Sequence, residues 1–283
     1  MMKRIRTALC LILAAALLAG CAFLPSESEP EALAPADPLT GHPLEWPGQR
    51  PVAVTIENST ASATQWGISS ASVVLEALTE AGMATELCLV YPALAATPKV
   101  GPVAAGQDIY WRLLVGQQPL PVQRGGGQFD QNYLDYYSIR AVDALEAGRT
   151  AFDCGSEWSN APLWYTSGSA VSKVLDALSI SAVLTESRVT SAASAAAASA
   201  SSGSDAVLTV PALLPQEEDG KLPDATAPDA VNVRVCFDDN NATGFAYDPD
   251  SGLYRMLHAD GTPQLDANNG QQAGFDNLLV LFS

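Results

Sequence analysis

The chain of 283 residues carries 14 basic against 31 acidic side chains, a formal balance of -17 at pH 7. A surface of that sign repels phosphate backbones and anionic headgroups, which argues against nucleic acid as a partner and against membrane contact through a basic patch. Beyond residue 21 the cysteines are Cys88, Cys154 and Cys236. This odd, widely spaced set permits one disulfide at most and offers no metal framework.

In chain order, the first element is an export signal. The basic start Met1-Met2-Lys3-Arg4-Ile5-Arg6 leads into an apolar run that ends at Leu18-Ala19-Gly20-Cys21. Basic, then apolar, then small residues before a cysteine is the order of a secretory signal. The stretch from Thr7 to Ala19 is shorter than the roughly 20 residues that a bilayer-spanning helix needs. Its ending resembles the lipobox of bacterial lipoproteins, which implies cleavage before Cys21 and lipid on that thiol. Loss of residues 1–20 leaves 11 basic and 31 acidic residues, a balance of -20. Membrane association then rests on the lipid at Cys21.

Residues 21–38 are rich in Ser, Glu and Pro and read as a disordered tether. A globular segment follows over 39–184, then an Ala/Ser-rich linker over 185–204 that offers almost no large apolar side chain to a core. A second segment, 205–283, opens with a proline-bearing loop from Pro215 to Pro228. In the first segment Val52 to Ile56 has the β-branched character of a buried strand. Ser69 or Ser70 caps an expected helix with Val73, Val74, Ala77 and Leu78 as its apolar stripe and Gly82 as its stop. Glu86 to Tyr91 is the next strand, with Cys88 as a small buried hydrophobe. Strand, helix and strand within this span predict parallel neighbours joined by a right-handed crossover. Further helices are expected at 107–116, 130–147 and 170–179. The second segment reads as an antiparallel meander through Phe245–Tyr247, Leu253–Leu257 and Asn277–Phe282. The fold class expected is α/β, with a smaller β-rich antiparallel C-terminal domain.

Several ordered motifs resemble the YerB-like lipoproteins that carry the DUF3048 domain. Pro38-Leu39-Thr40-Gly41 is similar to the family's opening, Arg50 to Asn58 to its first strand, and Gly67 to Glu76 to its first helix. Val100-Gly101-Pro102-Val103, Gly125-Gly126-Gly127, Ala161 to Ser167 and Tyr247 to Arg255 continue the resemblance in order. The resemblance names no substrate. After Gly101-Pro102-Val103 it implies an Arg-Ser-Ala-Arg run suited to a carboxylate or phosphate, but this chain has Ala104, Ala105, Gly106 and Gln107. Thr85-Glu86 stands where Thr-Arg is implied, and Pro162-Leu163 where Pro-His is. The resemblance also implies further strands after Phe282, so a shortened C-terminal domain with an exposed edge is expected.

Candidate ligand-binding residues are Glu57 and Asn58 at the end of the first strand, where open α/β sheets bind ligands, with Glu76 facing them and Gly101, Gln107 and Gly126 around them. Read as structure alone, the polar three are a loop cap and a solvated helix charge. Gly125 to Gly127 lacks the following lysine of a phosphate loop and reads as a flexible turn. Residues 239–250 space oxygens somewhat like a calcium loop, but their strand-like flanks favour a plain hairpin. Catalytic constellations are sparse: the histidines are His42 and His258, and there is no Gly-x-Ser-x-Gly elbow. An exposed tryptophan among Trp46, Trp66, Trp111, Trp158 and Trp164 would suit a flat sugar or peptide surface. The reading that follows is a non-enzymatic binding or scaffold lipoprotein of the cell envelope, without cofactor or metal, whose ligand is cell-wall material or an envelope protein. The alternative is a carboxylate-dependent hydrolase of cell-wall material.

Overall fold

The computed structural model describes residues 36–58, 65–79, 82, 84–154, 163–184, 210–214 and 229–281. The signal, Cys21, most of the tether, the 185–204 linker, the 215–228 loop and Trp158 lie outside them. Residues 36–283 make one compact unit.

Its centre is a mixed sheet. Strand β1 (Val52–Glu57) lies between β3 (Thr85–Tyr91), antiparallel to it, and β4 (Leu120–Gln123), parallel to it. Strand β2 (Val73–Leu78) pairs outside β3, and β5 (Val142–Asp143) runs parallel to β4 at the other edge. Near-continuous apolar sequence fits β1 because both its faces are covered. Val52, Val54 and Ile56 join Leu87, Leu89, Tyr91 and Val122 in the larger core. Ala53 projects to the opposite face with Cys88 and Val90. There α1 (Asp108–Leu114) and α2 (Gln128–Tyr136) cover the sheet with Tyr110, Trp111, Leu114 and Leu134. The short α3 (Ala144–Ala147) follows β5 directly. A small hairpin of β6 (Asp153–Cys154) and β7 (Trp164–Tyr165) leads to α4 (Gly168–Val171).

The second sheet runs β11-β10-β9-β8, all antiparallel: β8 (Asn232–Cys236), β9 (Ala242–Asp248), β10 (Leu253–Leu257) and β11 (Gly274–Phe275). Phe245, Met256 and Ala273 enter the same core as β1 and β3. The α/β class and the antiparallel C-terminal sheet therefore stand.

Four element assignments are corrected. Residues 73–78 are a strand hairpinned to β3, so no parallel crossover joins β1 to β3. Val73, Leu75 and Ala77 pack on the helical face while Val74 packs on the other. Six residues, apolar except for Glu76, fit both periods, and the β-branched pair Val73-Val74 inside a sheet decides for the strand. Gly82, at φ +65°, turns this hairpin rather than stopping a helix. The expected helix over 130–147 divides into the end of α2, strand β5 and α3, and that over 170–179 is one helical turn followed by irregular turns. Residues 277–281 form no strand; the closing strand is Gly274–Phe275. The 239–250 stretch is the β8–β9 hairpin and strand β9, as its flanks imply.

Candidate functional site

Register decides which polar groups meet. Glu57 lies directly opposite Glu86 on the neighbouring antiparallel strand, and side chains so opposed share a face. Both carboxylates therefore rise on the helical face, at the carboxyl end of β1. The amino end of α1 borders them: Gln107, just before the helix, donates Nε2 to Glu86 Oε2 at 2.6 Å, and Tyr110 donates its hydroxyl to the Glu86 carbonyl at 2.6 Å. Burial pushes the Glu86 carboxyl up to about 7; the Gln107 bond opposes this, the Glu57 charge adds to it, and Arg124 pulls it back. Glu57 is raised by burial and lowered by Arg124. Burial therefore raises both facing carboxyls, and the Arg124 charge opposes the shift in each.

Deeper on this face the groups are tightly placed. Asp130, fully buried, accepts from Trp111 Nε1 at 2.5 Å and from Gln123 Nε2 at 2.9 Å. Gly106 and Gly126 bridge one another beside it. A Cβ on Gly106 would overlap the Gln123 amide, and one on Gly126 would overlap the Asp130 carboxylate. The glycine run is a turn, as expected, but its middle residue is fixed by packing. Two fully buried side chains on this face, Thr55 and Gln123, each hold an oxygen without a hydrogen-bond partner among the described residues.

Asn58 and Glu76 lie on the opposite face. Asn58 Nδ2 donates to Glu76 Oε1 and to Thr85 Oγ1, both at 2.8 Å, and Thr243 Oγ1 from the second sheet donates to Glu76 Oε1 at 2.8 Å. Gln65 Nε2 donates to the Glu57 carbonyl at 2.7 Å, and its Oε1 accepts from Gln264. Burial raises the Glu76 carboxyl, against hydrogen bonds from Thr243, Thr85 and Asn58. This network joins β1, β2, β3 and β9 and acts as structure. A little further on, Asp266 accepts from the backbone of Gly67 and Ser69 and from the Ser69 hydroxyl. Gly101 lies against the Tyr165 ring at φ +148°. Lys99 sits 3.8 Å from the Trp66 ring centroid and 4.7 Å from that of Tyr165.

The six candidates thus separate: Glu57 and Gln107 both lie beside Glu86, Asn58 and Glu76 lie behind the sheet, Gly101 backs an aromatic pair, and Gly126 packs on Asp130. Sequence reasoning did not place Glu86, Arg124 or Asp130 in the site. Glu86 stands near the start of an apolar strand, but only pairing sets it across from Glu57. Among the described residues no group of acids, histidines and cysteines is arranged to hold a metal, and no helix is long and apolar enough to cross a membrane.

A mixed sheet with helices on one face and a second, antiparallel sheet on the other defines an α/β fold. The chain belongs to the DUF3048 family: residues 39–181 match the family described as "Protein of unknown function (DUF3048) N-terminal domain". It is 25% identical over 249 residues, 86% of its length, to the protein named "Putative lipoprotein YerB" of Bacillus subtilis (strain 168), and spans 66% of that relative. The fold is similar to the crystal structure of the YerB protein from Bacillus subtilis, with a TM-score of 0.64 at 23% identity over 85% of this chain and 72% of that one.

Proposed function

We propose that the protein is an extracytoplasmic lipoprotein of the bacterial cell envelope, anchored to the membrane by lipid on Cys21, whose folded part binds a ligand rather than transforming it. The basic, apolar and small-residue order before Cys21 supports the anchor, as does similarity to a protein named as a lipoprotein. The binding reading rests on one observation: two half-buried carboxylates, Glu57 and Glu86, face each other across neighbouring strands, with Glu86 held in place by Gln107 and Tyr110. Groups held in advance recognise a ligand at little entropic cost.

The hydrolase reading has its own support, because two facing carboxylates, one of them with its proton held up to about 7, are what general acid–base chemistry uses. Incubating the mature protein and its Glu86→Gln variant with cell-wall fragments tests both readings. Retention of fragments without cleavage is the expected result. Release of products by the natural protein, lost in Glu86→Gln, would replace binding with hydrolysis.

A further inference from the structure

Three of the four edges of the two main sheets are blunted. Strands β5 and β11 are two residues long, and β2 carries the acid Glu76, turned inward and bonded behind the sheet. Short strands and inward charges are ordinary guards against edge-to-edge pairing. Strand β8, five residues long, has neither guard: it ends the second sheet, pairs only with β9, and keeps its one charge, Arg234, on the exposed face. Tyr247 donates its amide to the Val231 carbonyl, and Phe237 donates its own to the Asn241 carbonyl. By the alternation of an antiparallel ladder, Val231, Val233 and Val235 spend their backbone groups on β9, whereas Asn232, Arg234 and Cys236 turn theirs outward. Those three residues are exposed, and none of their amides or carbonyls bonds to another described residue. The valines share the inner face: Val233 and Val235 are half-buried against the core, and Val231 is 51% exposed.

We propose that β8 is an interface with a second copy of this chain, the two β8 strands pairing antiparallel about a two-fold axis at Val233. The occupant follows from the symmetry of the strand itself. Residues whose backbone groups point outward must pair with one another. An axis at Val233 meets that rule by setting Asn232 opposite the partner's Arg234, once on each side. On the inner face it sets Val231 against the partner's Val235 and Val233 against its own counterpart, and β-branched side chains pack well across such a ladder. The outer row is complementary too, a guanidinium donor facing an amide oxygen. An axis at Arg234 would set two guanidiniums opposite each other, and one at Val235 would call on Asp238, beyond the end of the strand. One strand from each copy makes a small interface. The lipid proposed on Cys21 offsets this by confining copies to one plane and raising their effective concentration.

The test is sedimentation of the mature chain carrying Cys21→Ser, over a concentration series at low and at physiological salt. A monomer–dimer equilibrium is expected, tighter at the higher salt because two acidic chains repel, and closed at the dimer by its two-fold symmetry. Arg234→Pro deletes one outward amide and spares every bond to β9. Val231→Lys places a charge in the valine row. Each should weaken association about tenfold with the circular dichroism unchanged, whereas Tyr136→Lys, on the exposed side of α2, should leave it as it is. With Cys154→Ser added, spin labels on the two Cys236 thiols of the dimer should stand roughly 20 Å apart, three residues of strand rise on either side of the axis. A monomer at every concentration would overturn the interface, as would equal loss in Tyr136→Lys or association untouched by both edge variants. Labels closer than about 10 Å would overturn the register.

Discussion

Glu86 holds its proton up to about 7 because burial disfavours its charged form, and burial raises Glu57 and Glu76 as well. The unfolded chain releases these protons in the ordinary carboxylate range. Between that range and about 7 the folded state binds more protons, so stability falls as pH rises. Thermal melts should lose on the order of 2 kcal/mol through Glu86 between pH 5 and pH 8, about 5 °C in Tm. Glu86→Gln should flatten that slope; an unchanged slope would mean that Glu86 titrates normally. Asp266 works in the opposite direction. Burial pulls its carboxyl up, but its bonds to Asn268, Gly67 and Ser69 outweigh that and leave it below the usual range. Its contribution is present at neutral pH and is lost as acid protonates it. Asp266→Ala should cost about 2–4 kcal/mol in denaturant unfolding, because buried amide donors lose their acceptor.

At the scale of elements, the family's implied arginines divide into one that fits and one that does not. Position 107 faces Glu86, so Gln107→Arg should bring a guanidinium onto both carboxylates and restore Glu86 to the ordinary range, seen as loss of the same melting slope. Ala104 is buried at 2% exposure and its carbonyl accepts from Arg124; Ala104→Arg should overpack the site and destabilise the fold by about 1–3 kcal/mol or more. Gly126→Ala should cost a similar amount, since Asp130 occupies the space of its side chain. Local composition gave away β1, β3, β9 and β10, whose β-branched or alternating runs fit one period. It misled at 73–78, where six residues satisfy two periods, and at 130–147, where a two-residue strand that exists only by pairing with β4 interrupts a helical pattern. The site was half legible for the same reason. Glu57 and Gln107 announce themselves at element ends, but Glu86 joins them only through register, and the same alternation carries Asn58 and Glu76 to the far side.

For the whole molecule, the second sheet inserts Phe245 and Met256 into the core built by β1 and β3, and Thr243 and Asp266 bond across to it. Shared burial makes the two sheets one cooperative system. Calorimetry of the mature protein should therefore show a single unfolding transition, and two resolved transitions would show separate units. At the membrane, Cys21→Ser should abolish incorporation of labelled palmitate; undiminished labelling would remove the anchor. Cys88, fully buried in the middle of β3, has its thiol pushed far up by burial, whereas Cys236 is exposed and Cys154 half-buried. That gradient turns the chain into its own stopwatch. A thiol reagent should mark Cys236 within the mixing time, whereas the moment at which Cys88 reacts records when the central sheet comes apart, a clock for whole-protein opening that needs no label beyond the sulfur already there.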